Sequence, residues 1–160
     1  MNPPFTQEQF LNNIASYNMS VYPAQIILFL MAGLVLYLLF KKFNYSDKII
    51  SGLLAFFWLW MGIVYHIMYF SSINIPAYLF GFLFIVQGLL FLKYGTLNQR
   101  VSYGLKLDKY SIIGILMVIY SLVIYHILGY LISHGYPAIP TFGLPCPTTI
   151  FTLGLLLLTV

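Results

Sequence analysis

The stretch 49–70 reads IISGLLAFFWLWMGIVYHIMYF and contains no Asp, Glu, Lys or Arg. At 1.5 Å of rise per residue, such a run is long enough to cross the roughly 30 Å hydrocarbon core of a bilayer as an α-helix. It is continuously apolar, so the dyad pattern of a membrane barrel strand is missing. Four more apolar runs flank it, at 23–40, 75–92, 110–132 and from Thr148 onward. The expected fold is all-α, a polytopic transmembrane helical bundle of five spans. The last run offers only about 20 Å of helix between Thr148 and Val160. We therefore expect the fifth helix to be truncated and the transmembrane domain, 23–160, to be incomplete at its C-terminus. A re-entrant half-helix is the alternative.

Composition agrees. Of 160 residues, 61% are apolar and only 6% are charged, against roughly 25% charged in an average soluble domain. The mean hydropathy is +0.93. So few charges cannot cover the surface of a soluble fold. Seven Lys and Arg cannot both flank the spans and build a phosphate-tracking groove, which excludes nucleic acid as a partner.

Residues 1–22 do not form a cleavable signal, having no basic start and carrying Glu8 and several Asn. Thr6 and Gln9 have capping-box spacing, and Phe10, Ile14 and Tyr17 share one helical face. This reads as an outer-side leader forming a short interfacial helix; a frayed polar leader is the alternative.

Every basic residue falls in one of two connections. Lys41, Lys42 and Lys48 occupy 41–48, and Lys93, Arg100, Lys106 and Lys109 occupy 93–109. Basic residues beside spans stay cytoplasmic, so both connections are expected inside and the N-terminus outside. The net charge of +4 is then a topogenic signal with attraction to anionic lipid heads. On this orientation, His66 and His126 each lie about 26–27 Å of helix above an inner lysine. Both reach the outer edge of the hydrocarbon, where His134 and Cys146 also belong. Tyr65-His66-Ile67 recurs as Tyr125-His126-Ile127, and Ile75-Pro76 as Ile139-Pro140. These matches suggest a weak parallel repeat of two-helix hairpins.

Imidazole and thiolate are ligands for Zn, Cu or a softer ion. Placing Pro147 at the first helical position makes Cys146 an N-cap, where exposed N–H groups and the helix dipole favour thiolate. The leading expectation is soft transition-metal binding or transport at the outer face through Cys146, His66, His126 and His134. No local ligand spacing supports it, and an intramembrane imidazole commonly just hydrogen-bonds a neighbouring helix. A second reading makes His66 and His126 axial ligands of a b-type haem, with Gly62 and Gly129 giving room for the macrocycle. A third is a structural or assembly subunit without a ligand. Catalytic chemistry is poorly supplied. The carboxylates are Glu8, Asp47 and Asp108, all outside the spans, and nothing orients a Cys146–His134 pair. Gln87 is expected to join helices, and Trp58 and Trp60 to pack in the bundle or face lipid. With one cysteine no internal disulfide can form. The lipid bilayer is the expected partner, alongside further copies of the chain or another membrane protein.

Thr141-Phe142-Gly143-Leu144-Pro145-Cys146-Pro147-Thr148-Thr149 and the apolar run after it resemble the signature of a bacterial family of small multi-pass membrane proteins. That family is known only as a domain of unknown function. The segments Trp60-Met61-Gly62 to Tyr65-His66 and Tyr22-Pro23-Ala24-Gln25 are similar as well, as are Phe80-Gly81 and Gln87. The resemblance implies a bacterial inner membrane and one more span. It brings no activity or catalytic residues.

Overall fold

The computed structural model describes residues 4–106, 108–132 and 135–160. It is all-helical, with two isolated bridges and no strand among the described residues. Helix α1 (Gln7–Val21) opens on the expected capping box: Gln9 N–H donates to Thr6 Oγ1 at 3.2 Å, and Thr6 N–H to Gln9 Oε1 at 2.8 Å. Its Phe10, Ile14 and Tyr17 face packs on Tyr65, Phe70 and Leu144, which fixes this segment to the bundle. Helix α2 (Ala24–Phe40) leaves α1 at a bend of 83°.

Helix α3 (Ser46–Trp60) continues as a π-helical stretch, Met61–Tyr69. Helix α4 (Ala77–Leu90) likewise runs into the π-helical Phe91–Leu97. Helix α5 (Lys109–Ile119) passes through the π-helical Tyr120–Ile124 into α6 (Tyr125–Ile132). Among the described residues three continuous helices are long and apolar enough to cross a membrane, Ser46–Ser72, Ala77–Leu97 and Lys109–Leu131. There are four if α1 and α2 form one broken span. Of the five runs read as spans, the first (α2) and the last are the short ones.

Helix α7 spans Pro145–Leu156, with Leu144 as its N-cap. It begins earlier than expected, so Cys146 sits inside the first turn and is not the cap. Backbone N–H groups there have no intrahelical partner, so Pro145 and Pro147 cost the helix little. Beyond Leu156 the chain turns and pairs with the 93–109 connection. Gly104 N–H donates to the Leu158 carbonyl at 2.7 Å and Val160 N–H to that of Ser102 at 2.9 Å.

Helix α3 packs on α4, and α5 on α7. Small residues set both distances. A Cβ on Gly62 would come within 2.8 Å of the Gly81 carbonyl, and one on Gly114 within 2.7 Å of that of Gly154. Leu28, Val35, Leu54, Phe57, Phe142 and Phe151 fill the core between them.

The two ends differ. At one, the two basic connections are stitched together. Asp47 accepts from Ser102 Oγ at 2.8 Å and Tyr103 N–H at 3.0 Å, while Lys42 Nζ donates to the Tyr103 carbonyl at 2.8 Å. The Tyr103 hydroxyl lies 3.2 Å from Ser51 Oγ, and burial pushes it up to about 12. At the other end α1 meets the turn 71–76 and the loop 135–144 through uncharged amides. Asn13 Nδ2 donates to the Tyr69 carbonyl at 2.8 Å, and Asn18 Nδ2 to those of Pro137 at 2.7 Å and Ile139 at 2.8 Å.

Candidate functional site

The end built on α1, which has no Lys or Arg, is hollow. One cavity of about 270 Å³ lies between α1, the π-helical stretch after α3, α4 and the start of α7. Phe10, Ile14, Tyr65, Phe80, His66 and Cys146 are among its walls. His66 is only 5% exposed, and its ring rests on Phe84 at 4.5 Å between centroids. Its Nδ1 lies 2.9 Å from the Met61 carbonyl, five residues back. A carbonyl only accepts, so Nδ1 carries the hydrogen and the neutral ring keeps its lone pair on Nε2. No hydrogen bond to a described residue uses Nε2. Cys146 is exposed and neighbours both Tyr65 and Tyr125, with the Tyr125 hydroxyl against its sulfur.

A second cavity, of about 310 Å³, is walled by Gln25, Ile26, Phe29, His126, Tyr136 and Phe142 among others. His126 follows the π-helical Tyr120–Ile124 much as His66 lies within Met61–Tyr69. Such turns are uncommon and recur at functional sites. His126 Nδ1 is turned toward the Ser121 carbonyl, again five residues back, but is buried without a hydrogen bond of full geometry. Gln25 Oε1 is also buried without a partner; an unmet acceptor of this kind costs about 1–3 kcal/mol.

Of the four predicted ligands, the structure therefore brings His66 and Cys146 to one cavity. His126 lines another, and His134 lies outside the described residues. Among the described residues no three His, Cys, Asp or Glu side chains gather to hold a metal ion. The two histidines that would flank a haem face different cavities. The space beside Gly62 is taken by the Gly81 backbone and Ile85, which leaves no room there for a macrocycle.

The loop 135–144 separates the cavities and is held by residues that sequence reasoning passed over. Asn18 is fully buried. Besides its two loop carbonyls, it accepts from Thr141 Oγ1 at 2.7 Å, and its carbonyl accepts from Gln25 Nε2 at 2.5 Å. Gly143 has φ +102°, and a Cβ there would strike Leu28, so glycine is required. The available signal was Asn18 standing beside Tyr17 and one turn after Ile14, a polar residue on the face expected to be apolar. The Gln87 side chain makes no hydrogen bond to a described residue. The tryptophans do join elements, Trp58 Nε1 donating to Thr152 Oγ1 at 3.1 Å and Trp60 Nε1 to the Tyr17 hydroxyl at 2.8 Å.

No curated protein and no solved structure was found to match this chain. Residues 7–160 match a family described as a family of unknown function, DUF6064, and the chain belongs to that family.

Proposed function

We propose that this is a polytopic protein of a bacterial inner membrane, with its N-terminus outside, that captures a soft transition-metal ion at its outer face. The carrying observation is that His66 and Cys146, far apart in sequence, line one aromatic cavity while the Met61 carbonyl directs the free imidazole lone pair to Nε2. Both basic connections lie at the opposite end, which supports their cytoplasmic placement. The likeness between the two hairpins, each with a histidine at a π-helical stretch and a close glycine contact, supports the parallel repeat. A thiolate–imidazole pair in an apolar pocket suits Cu(I), whereas structural zinc asks for four ligands. On binding, Cys146 releases its proton to solvent and its sulfur joins the metal. His126 drops out of the ligand set.

Anaerobic Cu(I) titration of the purified chain against a chromophoric competitor tests this. One ion per chain is expected. Cys146→Ser should weaken binding by roughly 100-fold or more, since losing a ligand exceeds the 10–100-fold typical of outer-shell changes. His126→Asn should leave it unchanged. Unaltered affinity in Cys146→Ser would remove the proposal. A ligand-free structural role is the second reading, favoured by the bond from His66 to Met61. It predicts that His66→Gln lowers stability without changing metal content.

A further inference from the structure

We infer that Lys93, Tyr94 and Arg100, at the basic end of the bundle, form a specific site for the headgroup of an anionic phospholipid. Net charge alone gives only a diffuse attraction to such lipids. The structure goes further and gathers two of the seven basic residues around one ring. Lys93 Nζ lies 5.3 Å from the centroid of the Tyr94 ring, and the Arg100 guanidinium carbon 6.0 Å from it. Both are within the range of a cation–π contact.

The backbone creates this meeting. The π-helical Phe91–Leu97 ends where Asn98 N–H donates to the Lys93 carbonyl at 3.0 Å and Arg100 N–H to that of Tyr94 at 2.8 Å. Between them Gln99 takes φ +50°, a left-handed conformation that a non-glycine residue seldom adopts. That residue reverses the chain and returns Arg100 to the tyrosine. Because backbone N–H groups cap these two carbonyls, the side-chain cations are not engaged in doing so.

Nor are they paired with acid. Among the described residues neither side chain makes a hydrogen bond or an ion pair, and the Tyr94 hydroxyl makes no hydrogen bond. Asp47 is held by Lys42, Ser102 and the Tyr103 N–H, and Asp108 accepts from Ser111 N–H as the cap of α5. Lys93, Tyr94 and Arg100 are all exposed. They present two cations and a phenol, donors without an acceptor, and a phosphate carrying net negative charge is the matching group.

Their position supplies the apolar half of a lipid site. Lys93 lies near the end of the long apolar helix Ala77–Leu97, and Leu89 and Leu90, one turn before it, are exposed. Spacings of four and three residues put both leucines on the Lys93 face. A headgroup held at Lys93 and Arg100 lays its acyl chains along them, which a soluble phosphate cannot do. The assignment to the cytoplasmic leaflet rests on the orientation proposed above; the site itself does not.

Native mass spectrometry of the full chain in detergent tests the inference. The probe is dioleoyl phosphatidylglycerol, and the control is dioleoyl phosphatidylcholine, which has the same chains and no net charge. Phosphatidylglycerol should bind about 30-fold more tightly, the effect of two cations near a surface. Lys93→Gln with Arg100→Gln should bring it to the phosphatidylcholine level. Lys41→Gln with Lys48→Gln removes the same charge from the same end and should leave binding within about twofold. Circular dichroism should show both double variants folded. Equal affinity for the two lipids overturns the inference, and so does equal weakening by the two double substitutions. Displacement of the lipid by millimolar inorganic phosphate also overturns it, since the site would then take the free anion. Binding in detergent needs neither Cys146 nor a particular orientation, so Cys146→Ser should leave it unchanged and its failure is separate from that of the metal reading.

Discussion

The basic end of the bundle and the end built on α1 are closed in different ways. At the charged end one carboxylate, Asp47, draws two connections together through Ser102, the Tyr103 backbone and Lys42, at 3.4 Å from the ammonium. Close approach of Gly95 to Ser51 leaves little space beside it. At the end without Lys or Arg neutral amides hold backbone carbonyls, and both cavities described above open there. A charged clasp gathers its donors around one point. An amide has separate donor and acceptor arms, so it can span a loop and leave room beneath. The hollow end is therefore where a ligand can sit, and the clasped end is where the fold is anchored.

The largest test of that contrast is Asn18→Ala. It strips two loop carbonyls and the Thr141 hydroxyl of their partner in buried surroundings, and about 3 kcal/mol of stability should be lost. Unfolding followed by circular dichroism in detergent would measure it. A loss no larger than for an exposed α1 residue such as Ser16 would show that the loop holds without its amide hub. Asp47→Ala should cost less, about 2 kcal/mol, because its side chain is partly solvated and its bonds are charge-assisted but not deeply buried. Asp47→Asn should recover part of this, since an amide oxygen still accepts from Ser102. Equal damage from Asn and Ala would mean that charge alone closes that end.

A third test is a pH dependence. Burial holds the Tyr103 hydroxyl at about 12 in the folded chain, against about 10 when exposed. Between these values the unfolded chain gives up its proton first, so stability should fall as pH rises from about 10 toward 12. Tyr103→Phe should remove that component of the slope in an alkaline unfolding series. A slope unchanged by the substitution would place the titration elsewhere.

Much of this architecture is legible in the order of residues. Thr6 and Gln9 announce the start of α1, and the uninterrupted run 49–70 announces the helix later seen as Ser46–Ser72. The start of α7 is less legible, because Pro145 and Pro147 both suit a first helical turn and only the structure sets Leu144 as the cap. Gln87 was expected to bridge helices because an amide in an apolar run looks costly; the bridging is done by indole N–H groups, which composition does not flag.

Helix class, the bounds of the long apolar helices to within a few residues and the gathering of lysines into two connections are properties of local runs. A backbone in lipid must bond to itself within its own segment, and that requirement needs no knowledge of neighbours. Distance along a helix also follows from counting, which places His66 and His126 at similar distances from Lys48 and Lys109. Which of them share a cavity does not follow, because each residue turns a helix by about 100° and the π-helical stretches shift that phase. Rotation is set by which faces the close contacts Gly62–Gly81 and Gly114–Gly154 press together. Packing alone put His66 on the cavity that Cys146 lines and His126 on the one that Gln25 lines.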